Sequence, residues 1–276
     1  MPMPDRDVAP TVRRAAPHPD DDAVMQALCR IPEAATVQEV WDLLTRMLAG
    51  FGFERVNYGY TRFRSGPSIG DPDDVLFLST HALDRVRAFH ESGVYLRSAD
   101  YRWVRENVGA CPWDWVWKER AAGRLSAEEC RTLEEMGTGR GRAGYTISFP
   151  EGAPRSKGAM GLAAGPDVTQ AQCDVLWEVS GTRIMALAHA AHARLTHLPV
   201  PSARAALTVR QRELLEWIAD GKTLQDIGVI TGRSVSAIEK TLRRAREALM
   251  VETTAQAVAK AAFLNQIFVR GCFEAE

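Results

Sequence analysis

The sequence predicts an α+β protein, with helices around an antiparallel sheet in the first two thirds and an all-α C-terminal part. Three observations carry that prediction. Short strand-like runs occur at residues 55–63, with period-two alternation, and at 75–80, 144–150 and 158–164, with glycine- and proline-containing turns between them. Amphipathic helical segments with readable caps flank those runs. From residue 207 onward the pattern is helical only. Strands flanked by helices make a layered domain.

The elements follow in order. Residues 1–20 hold five prolines and several charges and are expected to be disordered. Val24, Leu28 and Ile31 share one helical face. A second helix runs from the N-cap Thr36 to Ala49 and carries Val40, Leu43, Leu44, Met47 and Leu48; Gly50 ends it. In the strand Arg55–Phe63, alternation puts Val56, Tyr58 and Tyr60 on one face and Asn57, Gly59 and Thr61 on the other. Residues 64–74 read as a turn and Val75–Thr80 as the neighbouring strand. Residues 82–120 read as helical with breaks and are rich in aromatics. Gly144–Pro150 and Gly158–Ala164 read as two further antiparallel strands, joined by a turn at Gly152 and Pro154. A long helix covers Thr169–Leu195. Residues 196–206, with two prolines and few core-formers, read as a linker. The expected organisation is thus a disordered 1–20, a domain at 21–195, a linker at 196–206 and a second domain at 207–276.

Composition narrows the function. A chain of 276 residues, 46% hydrophobic and 25% charged, has room for two ordinary globular domains. No apolar run approaches the roughly 18 residues of a membrane span, and the N-terminus lacks the apolar stretch of a signal peptide, so a cytoplasmic location is expected. The five cysteines are scattered without a CxxC pair, which suggests neither zinc nor disulfides. No GxSxG, Walker or HExxH motif is present, so no enzyme and no cofactor are expected. His189, His192 and His197 lack nearby acidic or thiol partners, which favours a surface or dimer contact over a metal site. The glycine-rich run 137–144 does not open a helix after a strand and reads as a loop.

The C-terminal part carries the sharpest signal. Thr208 to Gln211 is a capping box, and Leu214, Leu215, Trp217 and Ile218 follow at helical spacing until Gly221. Thr223 to Asp226 opens a short helix containing Ile227 and Ile230. Gly232 permits a sharp turn, and Ser234 caps a third helix with Val235, Ile238, Leu242, Ala245 and Leu249 expected inward. Thr253 or Thr254 begins a fourth, with Ala257, Val258, Ala261 and Leu264 inward. Between Arg233 and Arg246 lie five basic residues and one acid, Glu239. Two short helices about a glycine turn, the second one basic, form a helix-turn-helix. Its outward residues would meet the major groove and phosphates of double-stranded DNA. The candidates are Ser234, Ser236, Glu239, Lys240, Arg243 and Arg244, with Thr223 at the start of the preceding helix. The same periodicity is equally that of a plain helical bundle with a solvated basic face.

The run LTVRQRELLEWIADGKTLQDI, then SVSAIEKTLRRAREAL and TTAQAVAKAA, resembles the LuxR-type helix-turn-helix over about 60 residues. Leu207, Thr208, Arg210, Glu213, Leu215, Ala219, Gly221, Ile227, Gly232, Ser234, Gln256 and Ala257 match its pattern. Gly228 replaces a usual Ala, Thr231 a Leu, Thr241 a His and Ala248 a Lys, and Glu239 sits where some members have an Arg. Residues 23–195 resemble the family's signal-binding domain in FGFERVNYGY, in SGVYLRSADYRW with CPW, and in GYTISFP with Gly144. The resemblance implies an α/β/α sandwich on a five-stranded antiparallel sheet that binds an acyl-homoserine lactone. It also implies a homodimer on two DNA half-sites.

In that register the family's pocket Trp, Tyr, Asp and Trp fall on Arg85, Phe89, Ser98 and Trp113. Only the last is retained. The expected pocket is apolar, with Trp103 and Trp113 as walls, Asn57, Gly59 and Thr61 on the strand face, Phe89 as an aromatic wall, and Arg85, Ser98 and Asp100 as polar contacts. Lost polar partners change ligand choice sharply. The expected function is therefore a ligand-responsive regulator of quorum-sensing type. Two further readings are a regulator that is ligand-independent or answers a non-lactone signal, and a heterodimerising anti-regulator.

Overall fold

In the computed structural model, residues 18–66, 68–82, 92–136, 143–199 and 206–268 are described. Helix α1 (Asp21–Glu33) is capped by Asp20, and α2 (Val37–Gly50) by Thr36. Five strands follow along the chain: β1 (Phe53–Thr61), β2 (Leu76–Ser79), β3 (Gly109–Pro112), β4 (Gly144–Ser148) and β5 (Lys157–Ala164). Their order in one sheet is β2-β1-β5-β4-β3, and every pairing is antiparallel. Between β2 and β4 lie a 3-10 turn (Val94–Arg97), α3 (Ala99–Glu106), α4 (Trp115–Ala121) and α5 (Ala127–Glu135). The 26-residue α6 (Gln170–Leu195) closes this part.

Alternation in β1 decides which side of the sheet is core. Val56, Tyr58 and Tyr60 are buried against α1, α2 and α6, joining Val40, Leu44, Leu48, Ile184, Leu187 and Ala191. On the other face, α3 packs against β4. Helices therefore lie on both sides of an antiparallel sheet, the α+β sandwich that the sequence implied.

The helical breaks assigned to 82–120 conceal one strand. β3 reads Gly-Ala-Cys-Pro, which has little β preference of its own; pairing with β4 makes it a strand. Helix α5, unassigned in the sequence, has its signal in the capping box Ser126 and Glu129. His192 is a larger departure. It is buried beneath the sheet, its ring stacked on Phe149 at 4.1 Å and its Nδ1 2.9 Å from the Tyr58 hydroxyl. It continues the buried face of Ile184, Ala188, Ala191 and Leu195, so it is a core residue and no surface contact.

Helices α7 (Val209–Ala219), α8 (Leu224–Thr231), α9 (Val235–Ala248) and α10 (Thr254–Phe263) pack around a second core of Leu214, Leu215, Ile227, Ile238, Leu242, Ala245, Ala257 and Ala261. Val235, expected inward at the start of the third helix, is instead 37% exposed, and Ile230 in the second helix is 47% exposed. Gly228 has a geometric reason. A Cβ there would lie 2.9 Å from the Arg233 carbonyl, so glycine lets the turn close over α8.

The helical unit touches the sheet unit at the end of β1. Arg62 donates to the carbonyls of Thr196 and Phe263 and, at 3.0 Å, to Asn265 Oδ1; its Nε donates to the Tyr60 hydroxyl. Asn265 Nδ2 donates to the Thr196 and Leu198 carbonyls at 2.8 Å. Lys260 pairs with Asp74 at 2.7 Å, with both side chains largely buried, and Phe63 meets Phe263 edge-on. Leu198 itself belongs to the first core, so the start of the proline-containing segment is anchored.

Candidate ligand pocket and nucleic-acid interface

The sheet face opposite the main core holds a cavity of about 220 Å³. Its origin is the residue sizes on that face. Gly59 sits opposite Ala159, and Gly161 lies between Asn57 and Thr146, so a row of absent or minimal side chains leaves space above three adjacent strands. Phe77, Val75 and Ile69 wall one side, and Tyr95, Tyr101 and Val104 cover it from the 3-10 turn and α3. Tyr95 and Tyr101 meet edge to face at 6.4 Å. A larger groove between α1 and α2 is lined by Arg30, Glu33, Glu39, Asp42 and Arg46 with only Ala34 and Leu43 as apolar residues, unlike the mostly apolar lining of a small-molecule site.

The expected pocket residues divide. Asn57, Gly59 and Thr61 line the cavity. Asn57 Oδ1 accepts from Ser79 at 2.6 Å, and the Thr61 hydroxyl donates to the Ile69 carbonyl at 2.6 Å. Trp113 stands behind the wall. Its Nε1 donates to Thr146 Oγ1 at 3.0 Å, and its ring edge lies near Gly161. The same ring fills the space over Gly144, where a Cβ would come within 2.2 Å of the Leu162 carbonyl and 2.7 Å of the indole.

Ser98, Asp100 and Trp103 are not among the lining residues. Ser98 caps α3, its Oγ donating to the Tyr95 carbonyl and accepting from Tyr101 N–H. The hydroxyl expected to meet a ligand is thus spent on the helix start. Asp100 is enclosed in the first turn of α3, and burial pushes its carboxyl above the usual range. The carbonyl of Trp103 accepts from the Asn107 backbone and side chain beyond the end of α3. Arg85 and Phe89 lie outside the described residues.

Sequence reasoning missed Lys157. It opens β5 directly opposite Thr61 and lines the cavity. Its Nζ donates to the Phe149 carbonyl at 3.0 Å and, more weakly, to that of Asn107 at 3.4 Å. Burial lowers its pKa, with Glu151 partly restoring it. Only the strand register reveals this placement, and the register follows from pairing the alternation of β1 with that of β5.

The second candidate surface is α9. Ser234, Ser236, Glu239, Lys240, Arg243 and Arg244 are all exposed, while Ile238, Leu242 and Ala245 are buried. Arg243 has only a loose partner, Glu247 at 3.8 Å. Thr223 and Ser234 act first as caps: Thr223 forms a reciprocal box with Asp226, and Ser234 Oγ accepts from Ala237 N–H. The N-terminus of α9 with its cationic outer face is available to an anionic groove.

A cavity-bearing sandwich followed by an exposed basic helix-turn-helix defines the class of small-molecule-sensing DNA-binding proteins. Comparison with known families gives the same two parts. The autoinducer binding domain matches residues 36–195, and sigma-70 region 4 matches residues 193–249. The chain belongs to the LuxR-type regulators, the family that carries the autoinducer binding domain.

No curated protein matches the chain. Among solved structures, SdiA in complex with octanoyl-rac-glycerol is 16% identical, covers 89% of this chain and 96% of its own, and has a TM-score of 0.46. The N-acylhomoserine lactone dependent factor CepR2 from Burkholderia cenocepacia is 17% identical, covers 63% and 94%, and has a TM-score of 0.45. Escherichia coli SdiA in another crystal is 15% identical, covers 88% and 98%, and has a TM-score of 0.44.

Proposed function

We propose that this protein is a ligand-responsive transcriptional regulator of quorum-sensing type, acting in the cytoplasm as a homodimer on double-stranded DNA. In this reading residues 21–195 bind a small amphipathic signal, such as an acyl-homoserine lactone, and residues 207–276 bind DNA through Ser236, Lys240, Arg243 and Arg244. Asn57, Gly59 and Thr61 are the strand-side ligand contacts, with Trp113 as their support.

The observation that carries the reading is the path between the two surfaces. Thr61 lines the cavity, and the next residue, Arg62, holds the helical unit by Asn265 Oδ1 and the Phe263 carbonyl while also donating to the Thr196 carbonyl at the end of α6. A ligand that favours one arrangement of β1 would thereby bias the placement of α9, and its effect is limited to its differential affinity for the two placements. The test is fluorescence anisotropy of the full chain on a palindromic promoter fragment, with and without a lactone, across salt concentrations. Binding that weakens steeply with salt and changes with ligand is expected. No binding at low salt in either state would refute the reading.

A second reading is a regulator of the same build whose signal is not a lactone. It is favoured by the absence of any carboxylate among the described residues lining the cavity. Saturating DNA affinity that no lactone alters would select it.

A further inference from the structure

We infer that the signal taken by this cavity carries a carboxylate, held by Lys157 Nζ, with its apolar tail lying over Gly59, Ala159 and Gly161. The inference rests on the proposed ligand-binding role of the cavity and names the chemistry of its occupant.

Four observations lead there. First, among the described residues Lys157 is the one acid or amine side chain lining the cavity, and the other described lining residues are apolar, amide, hydroxyl or phenol groups. Second, its charge has no ion-pair partner among the described residues. No carboxylate of the described residues lies within 4.0 Å of Nζ, and its only hydrogen bonds go to two carbonyls, one of them long at 3.4 Å. An ammonium has three donors, so at least one remains for a ligand oxygen.

Third, the acids around the site do not take the role. Glu151 influences Lys157 only at a distance, and burial makes Glu151 itself harder to ionise. Arg64 adds further positive charge nearby. A half-buried cation with no carboxylate of the described residues in contact is unfavourable, and a ligand carboxylate relieves that condition where a neutral ring does not.

Fourth, the opposite end of the cavity is polar but internally paired. Asn57 accepts from Ser79 and Thr146 accepts from Trp113, so neither end-group demands a charged partner. Asn57 and Thr61 are four residues apart on β1, about 13 Å along an extended strand. The space between is floored by Gly59 and by Ala159 and Gly161 on β5. This is a one-headed channel, charged at the Lys157 end and apolar along its length.

The test uses the purified full chain and calorimetric titration with three probes: octanoic acid, methyl octanoate and N-octanoyl-homoserine lactone. Octanoate is expected to bind at least about tenfold more tightly than its ester, the low end for a partly buried charge pair. Lys157→Met should erase that preference while leaving ester affinity within about twofold, and Lys157→Arg should keep most of it. Circular dichroism establishes that each variant folds. The acid–ester comparison on the natural chain decides the matter if Lys157→Met does not fold. Equal affinity for acid and ester, or a preference that survives Lys157→Met, overturns the inference. If the ester or lactone binds in that event and Gly161→Leu abolishes the binding, the cavity is still the signal site. If none of the three probes binds, the ligand-binding reading falls with the inference.

Discussion

Replacing Arg62 with alanine should uncouple the helix-turn-helix from the sheet. The guanidinium has three acceptors: it crosses the junction to the Phe263 carbonyl and Asn265 Oδ1, and it donates to the Thr196 carbonyl on its own side. Hydrogen bonds to a charged group contribute about 1.5–3 kcal/mol each, but they share one side chain and are not additive. Arg62 is only partly buried, so solvent replaces some of what is lost. A net loss of about 3 kcal/mol in docking is the reasoned value, equivalent to about 150-fold in the docking equilibrium. The remaining contacts, Lys260 with Asp74, Phe63 with Phe263 and the Asn265 amide with the Thr196 and Leu198 carbonyls, then hold the unit. Hydrogen–deuterium exchange read by mass spectrometry is the assay. Peptides from α10 should lose up to about 100-fold in protection, while peptides from α2 and α6 should not change. Arg62→Lys should lie between, because an ammonium cannot span three acceptors as a planar fork does. Unchanged exchange across α10 in Arg62→Ala would refute the coupling and the route from cavity to DNA surface.

Other perturbations have equally definite outcomes. Gly144→Ala drives a Cβ into the Leu162 carbonyl and the Trp113 ring, and should cost about 3 kcal/mol in urea unfolding along with the packing of the cavity wall. Burial lowers His192 to about 4. The neutral form is thus the folded form, and stability present at neutral pH is lost as pH falls from about 6.5 towards 4. Linkage puts this at about 2 kcal/mol between pH 7 and pH 5. Glu151, whose pKa is raised by burial, opposes that trend, and His192→Gln should flatten the acid limb of a thermal-melting profile. Thr223→Ala removes the reciprocal cap of α8 and should lower the stability of the helical unit by about 1 kcal/mol, measured by calorimetry. Lys240→Ala with Arg243→Ala should reduce the salt slope of DNA binding by about 2, one phosphate contact each.

Legibility in the sequence followed the range of the interaction. The caps at Thr36, Thr208, Thr223 and Ser234 are local, and each appears where its short motif stands. The two faces of β1 were also legible, since alternation needs only the strand itself. Strand β3 was hidden because its four residues become a strand only through distant partners in β4, Gly109 with Ser148 and Cys111 with Thr146. Ser98 was misassigned for a related reason. Aligning it with a ligand contact ignored that a serine directly before Ala-Asp-Tyr is well suited to cap a helix, and a hydroxyl engaged twice has little left to offer.

His192 and Lys157 show how polarity misleads when burial is decided elsewhere. Near the end of a long helix, a histidine four residues after Ala188 and eight after Ile184 lies on the core face by period alone, and the absence of acidic neighbours in sequence says nothing against burial. Lys157 lies at the first position of a small-residue strand, next to a turn, where a charged side chain ordinarily reaches water. Pairing with Thr61 turns it to the cavity face, and the Phe149 carbonyl holds its amine there. The cavity exists because Gly59, Ala159 and Gly161 are small, and its chemistry follows from the charged side chain of Lys157 admitted beside them. Enlarging a single floor residue therefore separates space from charge: Ala159→Leu should abolish binding of acid and ester alike in the same titration, whereas Lys157→Met should abolish only the difference between them. If Ala159→Leu instead left octanoate affinity unchanged, the carboxylate would be held outside the cavity, and Lys157 would be a strand-end staple between two carbonyls.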